Sequence, residues 1–195
     1  PAAQPTAVVS GGTDVTAVPA DQPTVAAPIA GGTGAADLGF RPQTNGFSFP
    51  NYGKEANVTN LTPAEVRRMF GDQVCASLQG DVCTLIPPAD QWMQQNNASM
   101  SGGHCEGFAA LSLLLYSNKI DVNKFGASSA ADLKLEGNEL LQREIAYWFV
   151  TQATQPAASA IIKGTPTDIV NVLKQGYQNG AASETYAVGI YKPDR

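Results

Sequence analysis

The chain has 195 residues, a formal net charge of -5 and 43% apolar residues, enough for one domain with a real core. The acidic balance, with no basic run and no aromatic–basic stripe, argues against nucleic-acid binding through phosphate contacts. The longest apolar stretch, Phe108–Tyr116, is too short to span a membrane and fits a buried helix.

Residues 1–45 are rich in Pro, Gly, Ala and Thr and contain no lysine. No helical or strand period persists there, and the apolar area is too small to offset the entropy of ordering. The segment reads as a low-complexity linker or assembly arm; if ordered, it must lean on its own domain or on a neighbour. The chain does not begin with methionine, which points to a removed leader, although no signal-peptide pattern remains. Low lysine, abundant Thr, Asn, Gln and Gly, and two closely spaced cysteines read as a secreted or cell-surface protein.

The folded part is expected over 46–195. NLTPAEVRRMFG carries Thr62 as N-cap, Pro63 at the first helical position, Glu65 at N3 and Gly71 as a stop, a capping box with proline and glycine at the appropriate ends. DQVCASLQGDVCTLI reads as a loop, followed by a helix from about Pro88 to Ala98 that Ser101-Gly102-Gly103 breaks. Residues 105–117 form the next helix, so apolar on every side that it is expected to be buried all round. GNELLQREIAYWFVTQATQ is an amphipathic helix capped by Asn138, with Glu139 and Arg143 spaced to pair and Leu141, Ile145, Trp148 and Gln152 on one stripe. KGTPTDIVNVLKQG repeats the earlier grammar with Thr165, Pro166, Asp168 and Gly176 as a stop. ETYAVGIYK alternates as a strand. No second run of comparable quality pairs with it, so the strand Glu184–Lys192 is expected to need a sheet from elsewhere.

Three cysteines is an odd count. The simplest arithmetic joins Cys75 to Cys83 and leaves Cys105 free; the alternative is two small buried thiols. The C-x7-C spacing is not a zinc spacing, and one histidine leaves few ligands, so no metal and no cofactor is expected. Asn57, Asn60 and Asn97 each begin an Asn-x-Ser/Thr triplet, which matters only where the source glycosylates.

Cys105 stands where the turn Ser101-Gly102-Gly103-His104 meets the apolar helix. A free thiol titrates near 8.5, and a helix N-terminus favours the thiolate through its unpaired N–H groups and its dipole. The glycines let a substrate approach the backbone, and the Cys105 N–H is a candidate oxyanion donor. The neighbouring Glu106 acts against the thiolate. His104, the one histidine, is a poor base, because adjacent side chains diverge; substrate binding or a hydrogen-bonded place in the turn suits it better.

These residues resemble the papain-like cysteine peptidases, in which the nucleophilic cysteine opens a long buried helix after a small-residue turn. The family pattern of cysteine, aromatic, small residue and phenylalanine is met by Cys105, Gly107 and Phe108, with Glu106 in the aromatic place. GGHCEGFA, LQREIAYWFVTQAT and ETYAVGIYKPDR are similar to exported bacterial proteins with a papain-like core, over roughly residues 46–195. The resemblance implies Cys105 as nucleophile. It puts the family's oxyanion glutamine at Ser99, with Asn97 or Gln95 as stand-ins; Gly103 and His104 are further candidates for substrate binding from the turn itself. It also implies a histidine on a sheet-forming half beyond Arg195 or on a second chain.

The fold expected is therefore α+β: the helical half of a papain-like fold with one C-terminal strand, preceded by the arm. The function expected is a secreted cysteine hydrolase or acyl transferase acting on a protein or peptide. The alternative is a non-catalytic extracellular assembly protein, homo-oligomeric or docked on a cell-surface partner.

Overall fold

The computed structural model describes residues 7–11, 37–54, 57–178 and 185–190. They form a mixed arrangement of helices and strands, as expected of an α+β chain, and divide into two compact units: 41–151, and 1–40 together with 152–195. Among the described residues no helix is long and apolar enough to cross a membrane.

In the first unit, the first helices are α1 (Pro42–Asn45) and α2 (Pro63–Phe70). The α2 capping box forms as the sequence dictates. The Thr62 backbone N–H and hydroxyl donate to Glu65 Oε2 at 2.9 and 2.6 Å, and the Thr62 hydroxyl accepts from the Ala64 N–H. Gly71 ends the helix with φ +85°. The stretch expected to be a loop is an antiparallel hairpin, β2 (Cys75–Gln79) and β3 (Val82–Leu85). Its turn takes Gly80 at φ +60°, and a disulfide joins Cys75 to Cys83.

Next come α3 (Pro87–Ser99), α4 (Cys105–Tyr116) and α5 (Glu139–Thr151). Asn138 caps α5, its Oδ1 accepting from the Leu141 N–H. Leu141 and Ile145 are fully buried and pack with Leu111, Leu115, Phe125 and Leu133 in the main core. Gly107 lets α4 approach α5 closely: a Cβ there would lie 2.2 Å from the Ile145 carbonyl oxygen. A second cluster joins Leu61 and Met100 to Ala146 and Val150 of α5.

Two expectations change here. Helix α4 is central but not enclosed, since Leu113 and Leu114 are only half-buried. Arg143 is not held by Glu139; its Nε lies 3.5 Å from Glu65 Oε1 of α2. Beside it, Arg68 makes a two-pronged ion pair with Glu144 at 2.6 and 3.1 Å and lies over the Tyr147 ring.

In the second unit, α6 (Ala157–Ala160), β4 (Ile162–Gly164), α7 (Pro166–Gln178) and β5 (Tyr186–Ile190) join β1 (Ala7–Gly11). The sheet order is β4-β1-β5, antiparallel throughout, with Ala7 opposite both Gly164 and Ile190. This corrects two expectations. The C-terminal strand does not depend on a sheet from elsewhere, because its partner lies within the segment read as an arm, and that segment contains a strand. The physical reason is that a central strand needs no long alternating run of its own when both neighbours satisfy its backbone. Most of the arm, the ends of the run Glu184–Lys192 and the terminus at Arg195 lie outside the described residues. α7 is capped by Thr165 and Asp168 as expected, but it runs through Gly176 rather than stopping there. Ile169 is buried at its inner face against Leu173 and Tyr186.

Candidate functional site

Cys105 occupies the first position of α4, is exposed, and is a free thiol. The turn before it is fixed by Gly103 and Asn51. Gly103 has φ +133°, which disfavours any side chain, and a Cβ there would meet Asn51 Nδ2 at 2.6 Å. Asn51 Oδ1 accepts the His104 backbone N–H at 2.7 Å. Gly102 has nothing within 4 Å of where a Cβ would stand, so the turn is open on that side.

The N-cap of α4 is His104, and its side chain makes no capping bond. The first intrahelical bond is from the Phe108 N–H to the His104 carbonyl. This leaves the opening turn of α4 without the side-chain acceptor that α2 has, at the end where the helix dipole is positive. Glu106 is the acidic residue in that turn, and burial pushes its carboxyl above the usual range.

His104 is 1% exposed and faces the core. Its Nδ1 lies 2.8 Å from the Tyr52 carbonyl oxygen and its Nε2 2.9 Å from Asn60 Oδ1. Its ring is 4.2 Å from the Tyr52 ring and 5.9 Å from that of Phe149, centroid to centroid. Both nitrogens face these oxygens rather than the thiol, so neither is placed to take a proton directly from Cys105. The Tyr52 hydroxyl, buried among apolar side chains, has no hydrogen-bond partner among the described residues, and burial pushes its pKa up.

Of the residues singled out in the sequence, Cys105, Gly103 and His104 share the turn that opens α4. The amide of Asn97 is committed elsewhere: it accepts from the Leu61 N–H and donates to the Leu61 carbonyl, both at 3.0 Å. Gln95 is exposed on α3, and the Ser99 hydroxyl donates to the Asn96 carbonyl. Among the three glycosylation triplets, Asn57 is exposed, whereas Asn60 and Asn97 use their amides inside the fold.

Sequence reasoning missed Asn51, Tyr52 and Asn60 as the residues that seat His104. The lone polar residue beside an apolar helix was the available signal, because a buried imidazole must find partners. An open groove of about 320 Å³ lies nearby, lined in part by Lys54, Val58, Asn60, Asn97, Met100 and Ser101. Among the described residues no group of three or more His, Cys, Asp or Glu side chains is placed to hold a metal ion.

No family model, curated protein or solved structure matches this chain.

Proposed function

We propose that this chain is an exported protein of the papain-like kind and that Cys105 is its nucleophile, acting on a peptide or amide carbonyl. The observation that carries the reading is the exposed thiol at the first position of α4, beside a glycine turn open to an incoming group. The Cys105 thiolate attacks the carbonyl carbon, the amine leaves with a proton, and a thioester remains. Water or a second amine then releases the acyl group and restores the thiol. His104 is not the base in this scheme, because both its nitrogens are engaged. The proton carrier is a group outside the described residues of this chain or on a second chain. The Cys75–Cys83 disulfide supports an oxidising compartment and hence export.

The test is alkylation by iodoacetamide from pH 5 to pH 9, with glutathione as reference and Cys105→Ser as blank. A nucleophile is expected to label faster than glutathione below pH 7, and an acyl probe to leave a thioester mass on Cys105. A rate that follows an ordinary thiol across the range would refute it.

A second reading, a non-catalytic extracellular assembly protein on the same scaffold, is favoured by one observation: the chain's single histidine is built into the fold. On that reading Cys105 labels like glutathione, and the intact chain associates with a second copy or with a partner in sedimentation measurements.

A further inference from the structure

The seat of His104 poses a chemical problem. Each ring nitrogen faces an oxygen: the Tyr52 carbonyl at 2.8 Å and Asn60 Oδ1 at 2.9 Å. A neutral imidazole has one N–H to donate and one bare nitrogen that must accept. The Tyr52 carbonyl can only accept, so it fixes that proton on Nδ1. The bare Nε2 would then face an amide oxygen, lone pair against lone pair. Two arrangements remove the conflict. Asn60 turns its amide by half a turn, so that Nδ2–H donates to Nε2, or the ring takes a second proton and donates from both nitrogens. An amide serves either case, because its two ends are a donor and an acceptor of nearly equal size.

We propose that His104 and Asn60 form a proton-coupled amide switch: Asn60 Nδ2 holds the neutral ring, Asn60 Oδ1 holds the protonated ring, and the amide turns over as the ring titrates. A buried histidine with fixed partners opposes its second proton and couples acid to unfolding. This one can be charged with its seat intact. Asn60 also lines the groove beside Lys54, Asn97 and Ser101. The amide end not used by His104 is the one left to that groove, so it presents an acceptor when the ring is neutral and a donor when the ring is charged. The groove thereby gains affinity for anionic or carbonyl groups in acid.

The titratable groups on the surrounding elements are Tyr52 and Lys54 before the ring, Cys105, Glu106 and Tyr116 on α4, and Glu139, Arg143, Glu144 and Tyr147 on α5. The α5 side chain in contact with the ring is the apolar Phe149. The switch stands whether or not Cys105 reacts.

Because the chain has one histidine, its ring signals need no assignment. The experiment follows the imidazole nitrogens and the Asn60 side-chain amide of the full, 15N-labelled chain by NMR from pH 8 to pH 5, with circular dichroism confirming that it stays folded. The expected result is a neutral ring carrying its proton on Nδ1, and Asn60 amide shifts that move with the same midpoint as the ring. The Asn60→Asp variant offers an acceptor at neutral pH and is expected to raise that midpoint by about one pH unit or more. Three results each overturn the switch: a neutral ring protonated on Nε2, a ring that titrates while the Asn60 amide stays fixed, or a ring that remains neutral until acid unfolds the chain. An unchanged midpoint in a folded Asn60→Asp chain overturns it as well. If that variant does not fold, the wild-type titration still decides.

Discussion

Two helices of the same unit begin in opposite ways. At α2, Thr62 and Glu65 close the N-terminus with reciprocal bonds. At α4, the residue in the capping position sends its ring inward to Tyr52 and Asn60, and a thiol stands exposed in the first turn. A capped end contributes stability and has no donors left over. An open end forgoes that contribution and keeps N–H groups available to a negative atom. The chain can make a capping box, as it does again at α7 with Thr165 and Asp168. Helices α1 and α3 also begin without a side-chain cap; what sets α4 apart is the exposed thiol in its opening turn.

The largest test of this contrast is Gly107→Ala. The new methyl would sit 2.2 Å from the Ile145 carbonyl, and that atom is backbone that cannot swing away. The expected loss is about 3 kcal/mol or more in denaturant unfolding, with faster alkylation of Cys105 as α4 separates from α5. A loss below about 1 kcal/mol would mean that the α4–α5 contact is looser than described. The direct comparison comes next. Thr62→Ala should cost about 1 to 2 kcal/mol, because it opens a capped end, whereas Cys105→Ala should change stability by less than about 0.5 kcal/mol. Equal costs at the two ends would erase the difference between them.

The smallest effect is at α7. Bonds from the Thr165 hydroxyl and N–H hold the Asp168 carboxyl below the ordinary aspartate value. A depressed folded value contributes stability above the unfolded pKa, and that contribution is lost as pH falls through the folded one. The difference in unfolding temperature between wild type and Thr165→Ala should therefore be full at neutral pH and shrink below about pH 4. The carboxylate is fully exposed, so the effect is small and weakens in salt. A difference that persists at pH 2 would assign the cap to the Thr165 hydroxyl alone.

Local grammar was legible. The caps at Thr62, Asn138 and Thr165, the apolar stripe of α5 and the start of α4 at Cys105 could all be read from spacing, because each depends on residues within one or two turns. The Cys75–Cys83 bridge followed from cysteine arithmetic. What escaped depends on contacts between distant segments. The short strand at Ala7–Gly11 has no period long enough to stand out from its surroundings, and only its pairing across the chain defines it. Arg143 could reach Glu139 by helical spacing, yet it lies against Glu65 from another helix. Asn60 looked like part of a glycosylation triplet. Its place beside His104 comes from the fold, which brings residues 44 positions apart within 2.9 Å.

The sheet order β4-β1-β5 carries a consequence for how the chain matures. The middle strand precedes both outer strands in the chain and is therefore made before either of its neighbours. Pairing Ala7 with Gly164 and with Ile190 closes very long loops, and such contacts form late, because loop entropy must be overcome before the pairing stabilises anything. The elements of 41–151 lie between β1 and β4 in the chain and are made before the outer strands. During that interval the first strand has exposed edges and neither neighbour, so a chain built this way should depend on a holding factor for that segment.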